Sequence, residues 1–206
     1  MPLILESPAD IANAAFGRLP GPVRRIGTPY DGTKESKAFL DIYGQTRDQL
    51  LRSEDWDFAK RSGALVLQKT APVNGYGPWA PWDPAKYPPL DWIYQYALPA
   101  DYLKVRAVRP NPQFVPEYAP EAHPFSLEND PTLVPAQQVL LCNVPGAIMV
   151  YTGQVTSPLQ WNASFTEALI AALARRLAPT LVGLDAEKME AQDEVATEAQ
   201  AIRIKG

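Results

Sequence analysis

Proline decides what this chain can fold into. The sequence holds 22 prolines in 206 residues, and fifteen of the 22 fall between Pro72 and Pro145. Thr33–Ser62 and Pro158–Gly206 together hold only two, Pro158 and Pro179. Proline has no N–H to donate, and its ring clashes with the preceding helical turn. Long helices are thereby confined to the two ends of the chain. The expectation is an α+β fold: a helical bundle formed by N- and C-terminal helices, with a Pro-rich β-sheet insertion. We expect a single domain over 1–206, with a helical body at about 1–60 and 158–206 and a β-rich insertion at about 61–157. A chain of this length can bury one core and still project an insertion.

Local signals place the elements. Ser7–Gly17 has an N-cap serine, Pro8 in the first turn and Asp10 as the capping-box partner, which predicts a short helix. A longer helix begins at Asp31 or Thr33 and runs to about Arg52, with Phe39, Tyr43, Thr46 and Leu50 as its apolar stripe and Leu40, Arg47 and Leu51 beside it. Strands are predicted at Ala64–Leu67, Trp92–Tyr96, Leu103–Val108, Gln137–Cys142 and Ala147–Tyr151. The short CNVPGA connection predicts a hairpin between the last two. Ser164-Phe-Thr-Glu167 reads as a second capping box, opening a mostly apolar helix to Ala178 with Phe165, Leu169, Leu173 and Leu177 on one side. A last, charged helix is expected from Asp185, with a thin stripe of Met189, Val195, Ala199 and Ile202 suited to a partner surface.

Composition and motifs exclude most chemistry. One cysteine rules out an internal disulfide and a multi-cysteine zinc site, and one histidine removes most His-based catalysis. No phosphate-binding glycine loop, dinucleotide fingerprint or nucleophile elbow occurs. Cofactors and metals are therefore not expected. His123 lies in a Pro-rich stretch, Cys142 in an apolar strand, and the acid groups Glu54, Asp55, Asp57 and Glu128, Asp130 suit turns and helix ends. The net charge of −4 provides no global attraction for nucleic acid. Basic residues come in pairs (Arg24 and Arg25, Lys60 and Arg61, Arg175 and Arg176), not as a stripe. The N-terminal MPLILESPAD lacks a basic region and a long apolar run, so neither a secretory leader nor a membrane association is expected.

The sharpest feature is aromatic. Pro72–Pro89 is rich in Gly, Pro, Trp and Tyr, and no regular element is expected there. Tyr76, Trp79, Trp82 and Tyr87 lie in it, with Trp92, Tyr94 and Tyr96 just beyond. Such a cluster fits three roles: a cover over the β region, a protein–protein contact, or a platform for sugar using Trp79, Trp82 and Trp92.

Three stretches, taken in order, resemble a known family. They are YGQTRDQLLRSEDWDFAKRSGAL, YQYALPADYLKVRAV and MVYTGQVTSPLQWNASFTEALIAALARRLAPTLVG, the last followed by a charged helix. The chain is similar over about Thr33–Ala201 to the tail tubular protein A family and related head-to-tail adaptors (connectors) of tailed bacteriophages. The most specific pieces are Leu50–Phe58, Tyr96–Val105 and Phe165–Ala178, and the Pro72–Pro89 loop is longer than that pattern. The resemblance implies no enzymatic activity. It implies a homo-oligomeric ring, usually of twelve copies, in the virion neck and assembled in the host cytoplasm. The ring would dock to the portal protein above and to a tail tube or nozzle protein below, and DNA would pass through without sequence-specific binding. Candidate interface residues are Tyr76, Trp79, Trp82 and Tyr87 in the loop and Met189, Val195, Ala199 and Ile202 in the last helix.

Overall fold

The computed structural model describes residues 6–111 and 122–183. The predicted last helix, with Met189, Val195, Ala199 and Ile202, lies outside the described residues. The chain is mixed α and β, with three α-helices and two antiparallel sheets among the described residues. It divides into two compact units, one drawn from Met1–Glu54 and Val155–Gly206, the other from Asp55–Gln154.

The first unit is helical. Helix α1, Pro8–Phe16, starts as its sequence dictates: the Ser7 hydroxyl accepts from the Asp10 N–H, and the Asp10 carboxylate accepts from the Ser7 N–H at 3.0 Å. Replacing Ser7 with Ala is expected to cost about 1 kcal/mol, read as a shift in the denaturant midpoint of the helical unit. Asn13, in the middle of α1, bonds both the N–H (2.9 Å) and the C=O (2.8 Å) of Ile26, which ties down the Pro/Gly-rich segment after the helix. Helix α2, Lys34–Ser53, is capped by Thr33, whose hydroxyl accepts from the Ser36 N–H. The Asp31 carboxylate in turn accepts from the Thr33 hydroxyl and N–H, and these bonds hold its carboxyl below the usual range. The buried arc of α2 is wider than the expected stripe. Ser36, Phe39, Thr46, Arg47 and Leu51 are buried, whereas Leu50 is only half-buried. Arg47 is tolerated there because its guanidinium lies over the Tyr43 ring and pairs with Asp48.

Helix α3, Ala163–Leu181, packs against both α1 and α2. Its start corrects the sequence reading. Asn162, not Ser164, is the N-cap, its side chain accepting from the Phe165 N–H at 2.8 Å. Asparagine is as good a cap as serine, and Glu167, freed from the expected box, pairs with Arg18 instead. The apolar side is as expected, with Phe165, Leu169, Leu173 and Leu177 all buried. The helix passes Ala178 and Pro179 to end at Leu181, where Val182 and Gly183 both donate to the Ala178 carbonyl and Gly183 takes a left-handed φ of 72°.

The second unit is two sheets around one core. Strands β1 (Lys60–Ala64), β4 (Tyr102–Arg109) and β7 (Ile148–Gly153) form one, in the order β1-β7-β4. Strands β2 (Val66–Thr70), β3 (Tyr94–Ala97), β5 (Phe125–Asp130) and β6 (Gln137–Cys142) form the other, in the order β2-β3-β6-β5. Side chains of both meet inside: Tyr96, Leu140 and Cys142 from the larger sheet, Val108, Met149 and Tyr151 from the smaller.

Three predicted features change. The single strand expected at Ala64–Leu67 is two strands in different sheets, separated only by Leu65, whose N–H bonds the Ala147 carbonyl at 2.9 Å. β5 lies in a segment with no predicted strand. The expected hairpin of β6 and β7 does not form, since β6 pairs with β3 and β5 while β7 pairs with β1 and β4. The reason is burial on both sides of the turn. Cys142 and Val144 before it, and Ala147 and Met149 after it, all enter the shared core, so the chain crosses from one sheet to the other. The Tyr96 hydroxyl sits in that crossing, donating to the Val144 carbonyl at 2.8 Å and accepting from the Ala147 N–H at 3.4 Å. Replacing Tyr96 with Phe leaves both buried groups without that partner, and is expected to cost about 1–3 kcal/mol in the denaturant-induced unfolding of this unit.

Candidate interaction surface

The site is built on the 71–93 connection between β2 and β3, and what orders it lies beneath. The outer face of the larger sheet carries Lys69 and Gln95 side by side on paired strands, with Asp130 at the end of β5. Lys69 and Asp130 form a buried ion pair. Asp130 also accepts from the Gln95 amide at 2.7 Å and from the Thr132 hydroxyl at 2.6 Å. Burial alone would push the Asp130 carboxyl up, but the bonds from Lys69, Thr132 and Gln95 outweigh it and hold the group far below the usual carboxylate range. The same Lys69 ammonium donates to the Pro84 carbonyl at 2.8 Å, which staples the connection onto the sheet.

The connection then orders itself. Gly77 and Ala80 exchange backbone bonds at 3.2 and 3.0 Å, and the Trp79 ring lies on Gly77, where a Cβ would come within 2.7 Å of it. Tyr76 and Tyr87 meet edge to face at 5.6 Å. The Trp82 indole N–H donates to the Pro88 carbonyl at 2.9 Å, and the Tyr76 hydroxyl reaches the same oxygen at 3.4 Å. Asp83 closes a turn by accepting from the Tyr87 N–H at its carbonyl and from the Ala85 N–H at its carboxylate. As expected, the segment has no helix or strand.

The four loop candidates separate into two roles. Tyr76 and Tyr87 are half-buried and cover the sheet, whereas Trp79 is 71% exposed and Trp82 46% exposed. Apolar neighbours in the same unit are exposed too: Val66 and Leu67 on β2, then Val73, Leu90 and Ile93. Large apolar side chains are thus left exposed along this stretch of chain and its adjoining strand. Beside it, a half-open cleft of about 240 Å³ runs between the loop and the sheet, with Trp82, Tyr87, Pro84 and Pro89 on one side and Val139, Leu141 and Glu128 on the other.

Several of the remaining candidates are engaged within the fold. Asp55 pairs with Lys104 and Arg106, and the hydrogen bond from Lys104 holds its carboxyl low. Arg61 pairs with Asp101, and Arg176 donates to the Thr46 hydroxyl, so one member of each of these basic pairs is engaged within the fold. His123 donates its backbone N–H to the Val108 carbonyl at 2.9 Å, and its ring Nε2 is buried without a hydrogen-bond partner among the described residues. Cys142 is fully buried, and burial pushes its thiol up. It is expected to resist thiol reagents in the folded protein and to react only when the β unit opens, a rate that mass spectrometry of labelled protein would follow. Among the described residues no group of three or more His, Cys, Asp or Glu could hold a metal, and no helix is long and apolar enough to cross a membrane.

Sequence reasoning missed Lys69, Gln95 and Thr132. Lys69 and Asp130 are 61 residues apart, and nothing local in VLQKT distinguishes a buried lysine from a solvated one. No protein-family model matches the chain, and no curated protein matches it.

Proposed function

We propose that this chain is a structural head-to-tail adaptor of a tailed bacteriophage neck. It would form a ring that joins the portal to the tail tube or nozzle protein and lets the genome pass, with no reaction performed by its side chains. In this reading the three helices belong to the bundle that forms the ring's body, and the Pro-rich β unit is the insertion that reaches a neighbouring subunit or the next tail component. The observation that carries it is the exposed apolar surface of the β unit, Val66 and Leu67 on β2 and Val73, Trp79 and Leu90 on a loop held by its own bonds and by Lys69. A lone chain gains nothing from ordering a surface of that kind, whereas an interface does. The order of family-like stretches along the sequence supplies the identity of the partners. The test is to mix the full chain with the portal protein of the same virus and weigh the product. A portal-sized complex carrying a ring of adaptor copies is expected; two separate species would contradict the reading.

A second reading, a carbohydrate-binding or small hydrolytic module, draws on the cleft beside Trp82 and Tyr87. Hydrolysis has less support, since the Asp130 carboxylate beside the cleft is already engaged by Lys69, Gln95 and Thr132. Binding alone would show as oligosaccharide-dependent quenching of Trp fluorescence. The adaptor reading expects none.

A further inference from the structure

We propose that successive copies of this chain join edge to edge through the larger sheet, β5 of one copy pairing antiparallel with β2 of the next. The inference rests on the ring reading above and names the contact that would close it. The strand order is β2-β3-β6-β5, and every neighbouring pair is antiparallel. β2 and β5, the two edges, therefore run in opposite directions. A sheet with an even number of alternating strands can be repeated by rotation so that each new joint is again antiparallel. Such a joint uses two different edges of one subunit, which is the heterologous contact a closed ring requires.

The two edges fit that use. Among the described residues, β2 has no strand partner but β3, and β5 none but β6. Single chains commonly guard an open edge with charge. β2 does not. Its exposed side chains carry none: the register shift between Leu67 and Lys69 turns its one charged residue inward to Asp130, a break in the edge that a joint would have to span, and Val66, Leu67, Gln68 and Thr70 remain, all uncharged and all exposed. β5 presents the exposed acid Glu128, and β2 has no acid to oppose it. The strands match in length, at five and six residues, so backbone bonds can form on either side of the register shift in β2. The exposed apolar side chains of Val66 and Leu67 would be covered by the same pairing.

Two full-length variants test this, Gln68→Cys and Glu128→Cys, each at the centre of its strand. Both positions are exposed, and buried Cys142 should leave each folded variant with one reactive thiol, which thiol counting verifies. The two are mixed with portal, oxidised without denaturant, and the linked peptides are identified by mass spectrometry. The expected result is a 68–128 disulfide at least about tenfold above the level in urea, and a covalent ladder from the Q68C/E128C double variant. Links that are mainly 68–68 or 128–128, or no excess over urea, would overturn the edge joint. If rings still assemble on the portal without the 68–128 link, only the edge joint falls. If no ring assembles, the reading it rests on falls as well.

Discussion

Replacing Asp130 with Ala is expected to destabilise the β unit by about 3–5 kcal/mol, because it leaves the Lys69 ammonium buried without its counter-charge. The measurement is urea unfolding, with Cys142 labelling used to report this unit separately from the helical one. The same change should loosen the aromatic loop, since Lys69 also holds the Pro84 carbonyl. The pH dependence follows from the direction of the shift. The Asp130 carboxyl is held well below its unfolded value, so its ionised form stabilises the fold. That contribution is complete above the unfolded pKa of about 4 and is lost as pH falls from there toward the depressed folded value. The wild-type β unit should therefore weaken on acidification below about pH 4, and Asp130→Asn should be weaker at neutral pH with a flatter acid limb. An Asp130→Asn variant with the wild-type acid profile would show that another group controls the acid response.

The second large effect is expected at Trp79. It is 71% exposed, rests on Gly77, and takes no part in the Lys69 staple or in the Trp82–Pro88 bond. Trp79→Ala should therefore leave the unfolding midpoint of the free chain within the range of ordinary surface changes. As a central aromatic of an interface it should cost about 2 kcal/mol or more in assembly, roughly 30-fold in affinity. Trp82→Ala should act differently. It removes the bond to the Pro88 carbonyl, so it should lower loop stability as well as assembly. The contrast between the two tryptophans separates a contact role from a covering role, and it is read by pairing thermal unfolding with sedimentation of the portal mixture. Equal loss of stability in both variants would mean that Trp79 is only a cover.

The sequence reveals local structure well and long-range structure badly, and particular residues show why. Ser7, Pro8 and Asp10 define α1 within four positions, and the Phe165-Leu169-Leu173-Leu177 spacing defines the buried side of α3, because both are short-range patterns. The strand at Gln137–Cys142 agrees to the residue. Pairing does not follow from such patterns. CNVPGA has the length of a hairpin turn, and only the burial of residues on both sides of it, around Tyr96, makes it a crossing between sheets. Likewise Asn162 and Ser164 are equally good caps on paper, and the helix start decides between them. The aromatic loop is legible as a feature, but its division into covering tyrosines and exposed Trp79 is not. The Lys69–Asp130 pair beneath the loop joins residues 61 apart in sequence, beyond the reach of any local pattern.

The central claim is that this polypeptide works by fitting against other copies and other virion parts. Electron cryo-microscopy of the full chain mixed with its portal protein tests it most directly. The account predicts a closed ring of adaptor copies seated on the portal, with the exposed face of the 71–93 loop covered by a neighbouring molecule. A portal left bare, beside a free chain that saturably binds an oligosaccharide in the Trp82 cleft, would contradict it.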